Sequence, residues 1–312
     1  MRAMINRTRV EGYIYESKLE LRVSGAQSKN PNTEYITGTL SVATDEACLN
    51  VVPVHFTYVT ALTGKGTPNA TFNTLKTIVD GKAGTVISDG KDKASKVRID
   101  SAIGLNEFYT DRNGKEELVT AKRNEGGFVH FADTIDPDEK NRNTFECDMI
   151  INKVTRIEAN EEKQLPEKVV VKGAIFDFRN NLLPVEFSAK NERAMDYFES
   201  LEASQKSPVF TKIRGRQISE TIVNTIEEES AFGDTYVREV KNNRKDFVIT
   251  WAASEPYVWD DESTITVTEL NEAIAKREIA LAELKQKSDE FKNKNKSAGV
   301  MAAIANGPVF NF

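Results

Sequence analysis

One succession of strand and helix patterns occurs twice along this 312-residue chain. Each copy has three runs that alternate apolar with polar residues, then a helix-like segment, then two more alternating runs. The offset between matching segments falls from 146 to 135, 131 and 119 residues, as expected if the first copy carries longer loops. The matching segments are 4–11 with 150–158, 35–40 with 170–175, 51–56 with 182–187, and 128–131 with 247–251. The shared order indicates a duplicated β unit.

A helix signal separates the third strand from the fourth in each copy. Asn69 can cap a helix with Phe72 and Leu75 on one face, and Asn191 can cap a helix in which Met195 and Phe198 recur at helical spacing. The predicted order is therefore β-β-β-α-β-β, twice.

A long helix is predicted after the second copy. Thr266 and Glu269 form a capping box, and Leu270 and Ile274 begin an apolar stripe. We therefore predict a mainly β chain with a first domain at 1–143, a second at 144–262, a C-terminal helix at 263–294 and a tail at 295–312.

The predicted order resembles the oligonucleotide/oligosaccharide-binding (OB) barrel, which has five strands and a helix between the third and fourth. Within that class the chain resembles single-stranded DNA-binding proteins, particularly divergent ones encoded by bacteriophages. The resemblance extends over roughly residues 1 to 260 and rests on strand order. It implies two tandem OB-like barrels and non-catalytic binding of single-stranded DNA during replication, recombination or repair.

Charge and hydropathy narrow the remaining possibilities. The formal net charge is −6, so phosphate binding would need a locally basic surface. No apolar run approaches the roughly 18 to 20 residues of a membrane span, and the N-terminus lacks the apolar segment of a signal peptide. We therefore expect a cytoplasmic protein without membrane contact, in the host cell if phage-encoded.

The second copy carries the denser set of candidate phosphate and base contacts. Its cations alternate along one predicted strand, and aromatic and basic residues follow in the next, as binding of single strands requires. The candidates are Lys212, Arg214, Arg216, Tyr236, Arg238, Lys241, Arg244, Lys245 and Trp251. The alternative interpretation is the solvated face of a half-buried strand with a basic turn.

The first copy has fewer candidates at matching positions. Lys96 and Arg98 lie in the matching strand, and the others follow in the next: Lys122, Arg123, Phe128 and His130. The same alternative interpretation applies to them.

Enzyme functions find little support in the sequence. His55 and His130 are the two histidines, and neither lies in a nucleophile or metal-ligand motif. The glycines around Lys65 lack the upstream glycine of a phosphate-binding loop. We predict no catalytic residue, no metal and no cofactor.

The last residues suggest a partner contact. Val309, Phe310 and Phe312 form an apolar tip, which single-stranded DNA-binding proteins of bacteria use to recruit replication partners, although the acidic residues that precede such tips are absent here. Replication or recombination proteins are therefore candidate partners of the helix and tail. The competing hypothesis is a structural or adaptor protein, of a virion or a replication complex, that uses OB barrels for protein contacts.

Overall fold

The computed structural model of the chain describes residues 4–112, 115–160, 165–228, 236–260 and 264–305; of these, 220–228, 236–244 and 293–305 are described by their backbone alone. The described residues are mainly β and end in a long helix, as predicted. The strands are β1 (Asn6–Val23), β2 (Glu34–Ala43), β3 (Val51–Thr60), β4 (Lys96–Arg112), β5 (Lys115–Phe131), β6 (Asn143–Ile157), β7 (Lys168–Phe176), β8 (Leu182–Ala189), β9 (Val209–Glu228) and β10 (Tyr236–Ala252).

Strands β1 to β5 form a closed barrel, the first ring. β1 pairs antiparallel with β2 and β4, β2 with β3, and β4 with β5. A short parallel contact, in which His55 of β3 pairs with Glu125 of β5, completes the ring. Alternate residues such as Val97 and Ile99 are buried inside it, which is the period of two that the sequence shows.

Strands β6 to β10 are hydrogen-bonded in the same cyclic order, and we call them the second ring. β6 pairs antiparallel with β7 and β9, β7 with β8, and β9 with β10. Val248 of β10 pairs in parallel with Ser188 of β8. Phe145 and Phe187 stack inside, with ring centroids 5.0 Å apart.

Short helices follow the third strand of each ring. They are α1 (Ala70–Val79), α2 (Val86–Asp89) and α3 (Glu192–Ser200). The predicted caps are confirmed, because Asn69 Oδ1 accepts from the Thr71 amide at 3.1 Å and Asn191 Oδ1 accepts from the Arg193 amide at 3.0 Å. The apolar face of α1 is buried against the first ring, and that of α3 is buried against the second.

The two rings are joined through β1 and β6, which pair antiparallel from Asn6 with Cys147 to Val10 with Asn143. Each ring also extends its last hairpin toward the other. Ile103 of β4 lies in the core of the second ring. In return, Gln217 of β9 accepts a hydrogen bond from Asn124 Nδ2 of β5 at 2.7 Å. The rings therefore share a core and a buried polar contact.

The C-terminal helix, α4 (Val267–Ala305), packs along the β4–β5 hairpin. It begins at the predicted capping box, where Thr266 Oγ1 accepts from the Glu269 amide at 3.1 Å, and it runs beyond the predicted end at 294. Arg277 is 2.5 Å from Glu107, and Lys285 is 3.0 Å from Glu116. The helix thus follows the second ring in sequence but contacts the hairpin of the first.

Bulges in β1 and β6 establish the register of the repeat. The bulge between Ile14 and Glu16 corresponds to the bulge between Ile151 and Lys153, an offset of 137 residues instead of the predicted 146. The predicted order of the matching segments is therefore correct, whereas this pairing of residues was wrong.

The other strands follow from this correspondence. Val10 pairs with Ile99 and its equivalent Cys147 pairs with Ile213, which makes β4 and β9 equivalent at an offset of 114. One residue further on, Asp100 pairs with Phe128 and Arg214 pairs with Trp251. Phe128 therefore corresponds to Trp251, at an offset of 123 and not the predicted 119.

Among the helices that the structure describes, none has the length and apolar composition needed to cross a membrane.

Lys122 extends from β5 of the first ring into the second ring. Its ammonium donates to the Glu186 carbonyl and lies 4.8 Å from the ring centroid of Phe187 and 4.9 Å from that of Phe247. Burial disfavours the charged form and lowers the pKa of Lys122 to about 8, although Glu186 and Asp246 oppose this shift.

Replacing this lysine should stabilise the protein. Lys122→Met keeps the buried stem and removes the cost of burying a charge, so the free energy of unfolding at pH 7 should rise by about 2 kcal/mol. The cost is complete below about pH 8 and disappears as pH rises toward 10.5, the ordinary pKa of lysine. The difference between variant and wild type should therefore shrink across this window, as measured by urea unfolding.

The matched control is Lys115→Met, which changes an exposed lysine of the same hairpin and should alter the free energy of unfolding by less than about 0.5 kcal/mol. A constant difference between Lys122→Met and wild type from pH 7 to 10.5 would contradict a buried ammonium.

Candidate nucleic-acid interface

A cleft of about 1060 Å³ lies where β1 meets β6, and we call it the junction cleft. Both rings contribute to its walls. Its lining contains six cationic side chains and two carboxylates, with one indole. These residues are Arg7, Arg9, Arg98, Lys140, Arg214 and Arg216, then Asp100 and Glu146, then Trp251. The lining is therefore positively charged although the whole chain is acidic.

Strand register arranges these side chains in two rows. In the first row, Asp100 of β4 lies beside Arg9 of β1, then Thr144 of β6, then Arg216 of β9. Arg9 Nε is 3.3 Å from Asp100 Oδ1. The Nε of Arg216 is buried and has no hydrogen-bond partner in the described part of the chain. A guanidinium in the wall of a cleft with an unsatisfied donor is suited to an anionic ligand once it turns toward the opening.

In the second row, Arg7 of β1 lies beside Glu146 of β6, then Arg214 of β9, then Trp251 of β10. Arg7 Nε donates to Glu146 Oε2 at 2.7 Å, and Arg214 Nε donates to Glu146 Oε1 at 3.1 Å. The Arg214 guanidinium also lies 4.7 Å from the centroid of a Trp251 ring. Glu146 therefore holds one arginine from each ring in place.

The environment of Glu146 determines its charge. Burial raises its pKa, but the hydrogen bonds and positive charges of Arg7 and Arg214 outweigh that effect and lower the pKa below the ordinary value of 4.5. The carboxylate is therefore ionised at neutral pH. Both arginines keep large exposed fractions, 70% for the Arg7 side chain and 52% for that of Arg214, so they can meet a ligand as well.

Exposed aromatic side chains lie toward both ends of the cleft. Trp251 is 44% exposed and lines the cleft, and Phe128 is 69% exposed and pairs with Asp100 at the far end of the first row. Each stands next to a bulge in the last strand of its ring, and the two positions are equivalent. Flat apolar groups in this setting can stack on unpaired bases.

A close backbone approach shapes the floor of the cleft. Gly215 pairs with Phe145, and a Cβ on Gly215 would come within 2.1 Å of the Val248 carbonyl oxygen and 2.4 Å of the Phe145 ring. A glycine is needed here so that β9 can lie between β6 and β10. Arg214 precedes this glycine and Arg216 follows it, and both side chains line the cleft.

The structure brings together four of the predicted residues in this cleft: Arg98, Arg214, Arg216 and Trp251. Three others lie next to it. Lys212 Nζ is 4.0 Å from Glu146, and the exposed residues Phe128 and His130 are the pairing partners of Asp100 and Arg98. Lys96 is further along β4, with Nζ 3.3 Å from the Asp133 carbonyl.

Three predicted cations lie instead in a separate cleft of about 250 Å³ where the two hairpins meet: Lys122, Arg123 and Lys245. His55 also lines it, and burial together with the charge of Arg123 lowers the pKa of His55 below its ordinary value. The structure does not bring these three cations to the junction cleft.

The other predicted side chains lie outside the described residues. They are Tyr236, Arg238, Lys241 and Arg244, whose strand is described by its backbone, and Val309, Phe310 and Phe312.

Sequence reasoning missed Arg7, Arg9 and Lys140. The signal for the first two was present, because Arg7 and Arg9 alternate in Asn6-Arg7-Thr8-Arg9 as Arg214 and Arg216 do in β9. Lys140 lies in the connection between the rings, where only the fold brings it close to the arginines.

Comparison with known proteins defines the family. A family model described as YorF matches residues 5–287. The chain belongs to the YorF family. No curated protein matches its sequence.

Two solved structures are similar in fold. The first is wild-type single-stranded DNA binding protein from Thermus aquaticus, with a TM-score of 0.46, 9% identity, and coverage of 84% of this chain and 98% of that one. The second is a deletion mutant of the same protein, with a TM-score of 0.44, 9% identity, and coverage of 84% and 99%.

Glu146 should contribute to stability as well as to the cleft. Glu146→Gln should lower the free energy of unfolding at pH 7 by about 1 to 2 kcal/mol, because two arginines lose a charged acceptor. The wild type has this stabilisation above pH 4.5 and loses it as pH falls through the lowered pKa, so the deficit of the variant should shrink below pH 4.5. Urea unfolding at several pH values tests this.

Glu20→Gln is the matched control, since Glu20 pairs with Arg22 on the open surface and its loss should cost less than about 0.5 kcal/mol. Equal effects of the two substitutions would contradict the organising role of Glu146.

Proposed function

We propose that this chain binds single-stranded DNA in the junction cleft and catalyses no reaction. The observation that supports the proposal best is the coexistence, in one cleft, of six cationic side chains and an exposed indole, with an exposed phenyl ring at the end of the adjoining row. Single-strand binding requires this combination of cations for phosphates and flat apolar groups for bases.

The cations can bind phosphates in two ways. Arg216 lines the cleft and its Nε has no hydrogen-bond partner among the described residues, so turning the guanidinium toward a phosphate oxygen breaks no hydrogen bond at that atom. Arg7 and Arg214 are held by Glu146 through their Nε atoms, while their exposed remainders can meet phosphates. Asp100 and Glu146 offset only part of the positive charge, so four net positive charges remain in the lining.

The aromatic residues favour single strands over duplex. Stacking on Trp251 or Phe128 requires an unpaired base whose face is free, which a duplex does not present. The cation that stacks on Trp251, Arg214, belongs to the phosphate-binding set, so one base and its phosphate can be met together.

Within this proposal the chain consists of two tandem OB-like barrels, 1–143 and 144–262, because both rings share one cyclic strand order. Lys96, Lys212 and His130 extend the basic surface beyond the cleft, and the hairpin cleft of Lys122, Arg123 and Lys245 offers further cations. We also propose that the DNA strand is contacted by the side chains of Tyr236, Arg238, Lys241 and Arg244. The setting we propose is DNA replication, recombination or repair of a bacteriophage, in the cytoplasm of the host cell.

A second candidate function is protein contact through α4. Ile279 and Phe291 are 62% and 66% exposed on this helix, so both apolar side chains are accessible to a partner. We propose that replication or recombination proteins dock here and on Val309, Phe310 and Phe312 of the C-terminus. An adaptor role without DNA binding remains the competing hypothesis, and it is supported if the wild type fails to bind DNA.

Fluorescence anisotropy with labelled oligo-dT tests the proposal directly. Wild type should bind at low salt and lose affinity steeply as salt rises. Arg214→Glu combined with Arg216→Glu should weaken binding on the order of 100-fold, and the slope of log affinity against log salt should fall in magnitude by about 1.4, for two lost phosphates. Duplex DNA of equal length should bind more weakly than the single strand.

The matched control is Lys65→Glu combined with Lys153→Glu, which changes net charge equally at two exposed lysines outside both clefts. It should bind with an affinity within about threefold of wild type. If wild type shows no binding to oligo-dT at low salt, the proposed function is wrong. If only the control loses affinity, the assigned cleft is wrong.

A further inference from the structure

We infer that the two rings bind one DNA strand together, across the junction cleft, and not one strand each. This inference rests on the proposed function and specifies how the site is used. One base stacks on Phe128 at the first ring, another stacks on Trp251 at the second ring, and the intervening phosphates meet arginines from both rings.

The pairing of β1 with β6 is symmetric about its centre. At the offset of 137 residues, Thr8 corresponds to Phe145, and these two residues also pair with each other. Arg9 pairs with Thr144, which is the equivalent of Arg7. A strand that pairs antiparallel with its own equivalent creates an approximate two-fold axis, and this axis passes through the floor of the cleft.

The same approximate two-fold axis relates the two exposed aromatic residues to each other. Phe128 and Trp251 are equivalent positions, and each ends a row that crosses β1 and β6. Neither therefore marks a separate groove on its own barrel. The rows occupy six neighbouring strands, β5, β4, β1, β6, β9 and β10, so the contour between the aromatic residues is roughly 24 Å at about 4.8 Å per strand. That length suits a short stretch of single strand, within the range of about 4 to 16 nucleotides for one OB fold.

The phosphate-binding groups also cross the boundary between the rings. Glu146 of the second ring holds Arg7 of the first and Arg214 of the second on one carboxylate. In the other row, Arg9 of the first ring and Arg216 of the second flank Thr144. Each row of side chains therefore contains cations from both rings, and neither ring alone would present a complete row.

The two ends of the cleft are not identical, because equivalent positions in the two rings carry side chains of opposite charge. Asp100 of the first ring corresponds to Arg214 of the second, and Arg9 corresponds to Glu146. A DNA strand has a direction and cannot obey a two-fold axis, so unequal ends favour one direction of binding. We therefore expect the Trp251 end, where a cation adjoins the aromatic residue, to contribute more than the Phe128 end.

Stoichiometric titration distinguishes one shared strand from two separate strands. An oligo-dT of about eight nucleotides, long enough to span the contour, should bind at one per chain by anisotropy and isothermal titration calorimetry. Phe128→Ala and Trp251→Ala should each weaken this single event, by about 5-fold and about 50-fold, in the range for loss of one stacked base. The double variant should show about the product of the two effects.

Two sites, one in each ring, would give a different result. Wild type would then bind two such oligonucleotides, and each single variant would retain one site at wild-type affinity, which would overturn the inference while leaving the proposed function intact. Absence of binding by wild type at low salt would instead overturn the proposed function and this inference with it. Phe178→Ala is the matched control, because Phe178 is 89% exposed in the β7–β8 turn and should not affect binding.

Discussion

The pairing of β1 with β6 is the interaction on which the rest of the structure depends. Each of these strands belongs to its own ring and also pairs with the other along part of its length. The ten strands therefore form one continuous sheet. Their pairing places Arg7 and Arg9 of the first ring beside Glu146 and Thr144 of the second. Without this register the cleft would not exist, because no single ring supplies its cations, its carboxylates and both aromatic residues.

The two carboxylates of the cleft have an organising effect. Neighbouring arginines repel one another, and Glu146 reduces that repulsion by accepting from Arg7 and Arg214 at once. Asp100 accepts from Arg9 Nε at 3.3 Å and forms an ion pair with Arg98, whose Nε lies 3.3 Å from Oδ2 without a hydrogen bond. In the proposed function these contacts preorganise the arginines for phosphate, so that less side-chain entropy would be lost on binding. Under the same proposal the carboxylates would also compete with phosphate for the arginines and reduce the net attraction.

The sequence predicted the elements of this fold better than their register. Strand order, the caps at Asn69 and Asn191, and the capping box at Thr266 depend on local chemistry and were read correctly. The correspondence of Phe128 with Trp251 was missed by four residues. An even error leaves the inward and outward alternation of a strand unchanged, so the hydrophobic pattern could not detect it. The bulges that establish the register are backbone features, and they became visible only in the pairing.

The candidate site shows the same difference between local patterns, which the sequence reveals, and long-range contacts, which it does not. Alternating cations in β9 were recognised because their pattern is local, whereas the convergence of Arg214 with Arg7 depends on a contact between residues more than 200 positions apart. Only the fold supplies that contact.

Equivalent lysines show how the two copies have diverged. Lys122 pairs with Leu105 in the first hairpin, and Lys245 pairs with Ser219 at the equivalent place in the second. Lys122 is half-buried against the rings of Phe187 and Phe247, and loss of solvation lowers its pKa to about 8, whereas Lys245 is exposed. The lysine of the first copy thus contacts the second ring, whereas its equivalent in the second copy is exposed. The same asymmetry separates Asp100 from Arg214 and Arg9 from Glu146, so the backbone keeps its two-fold relation while the charges at equivalent positions differ, as the proposed binding of one directional strand requires.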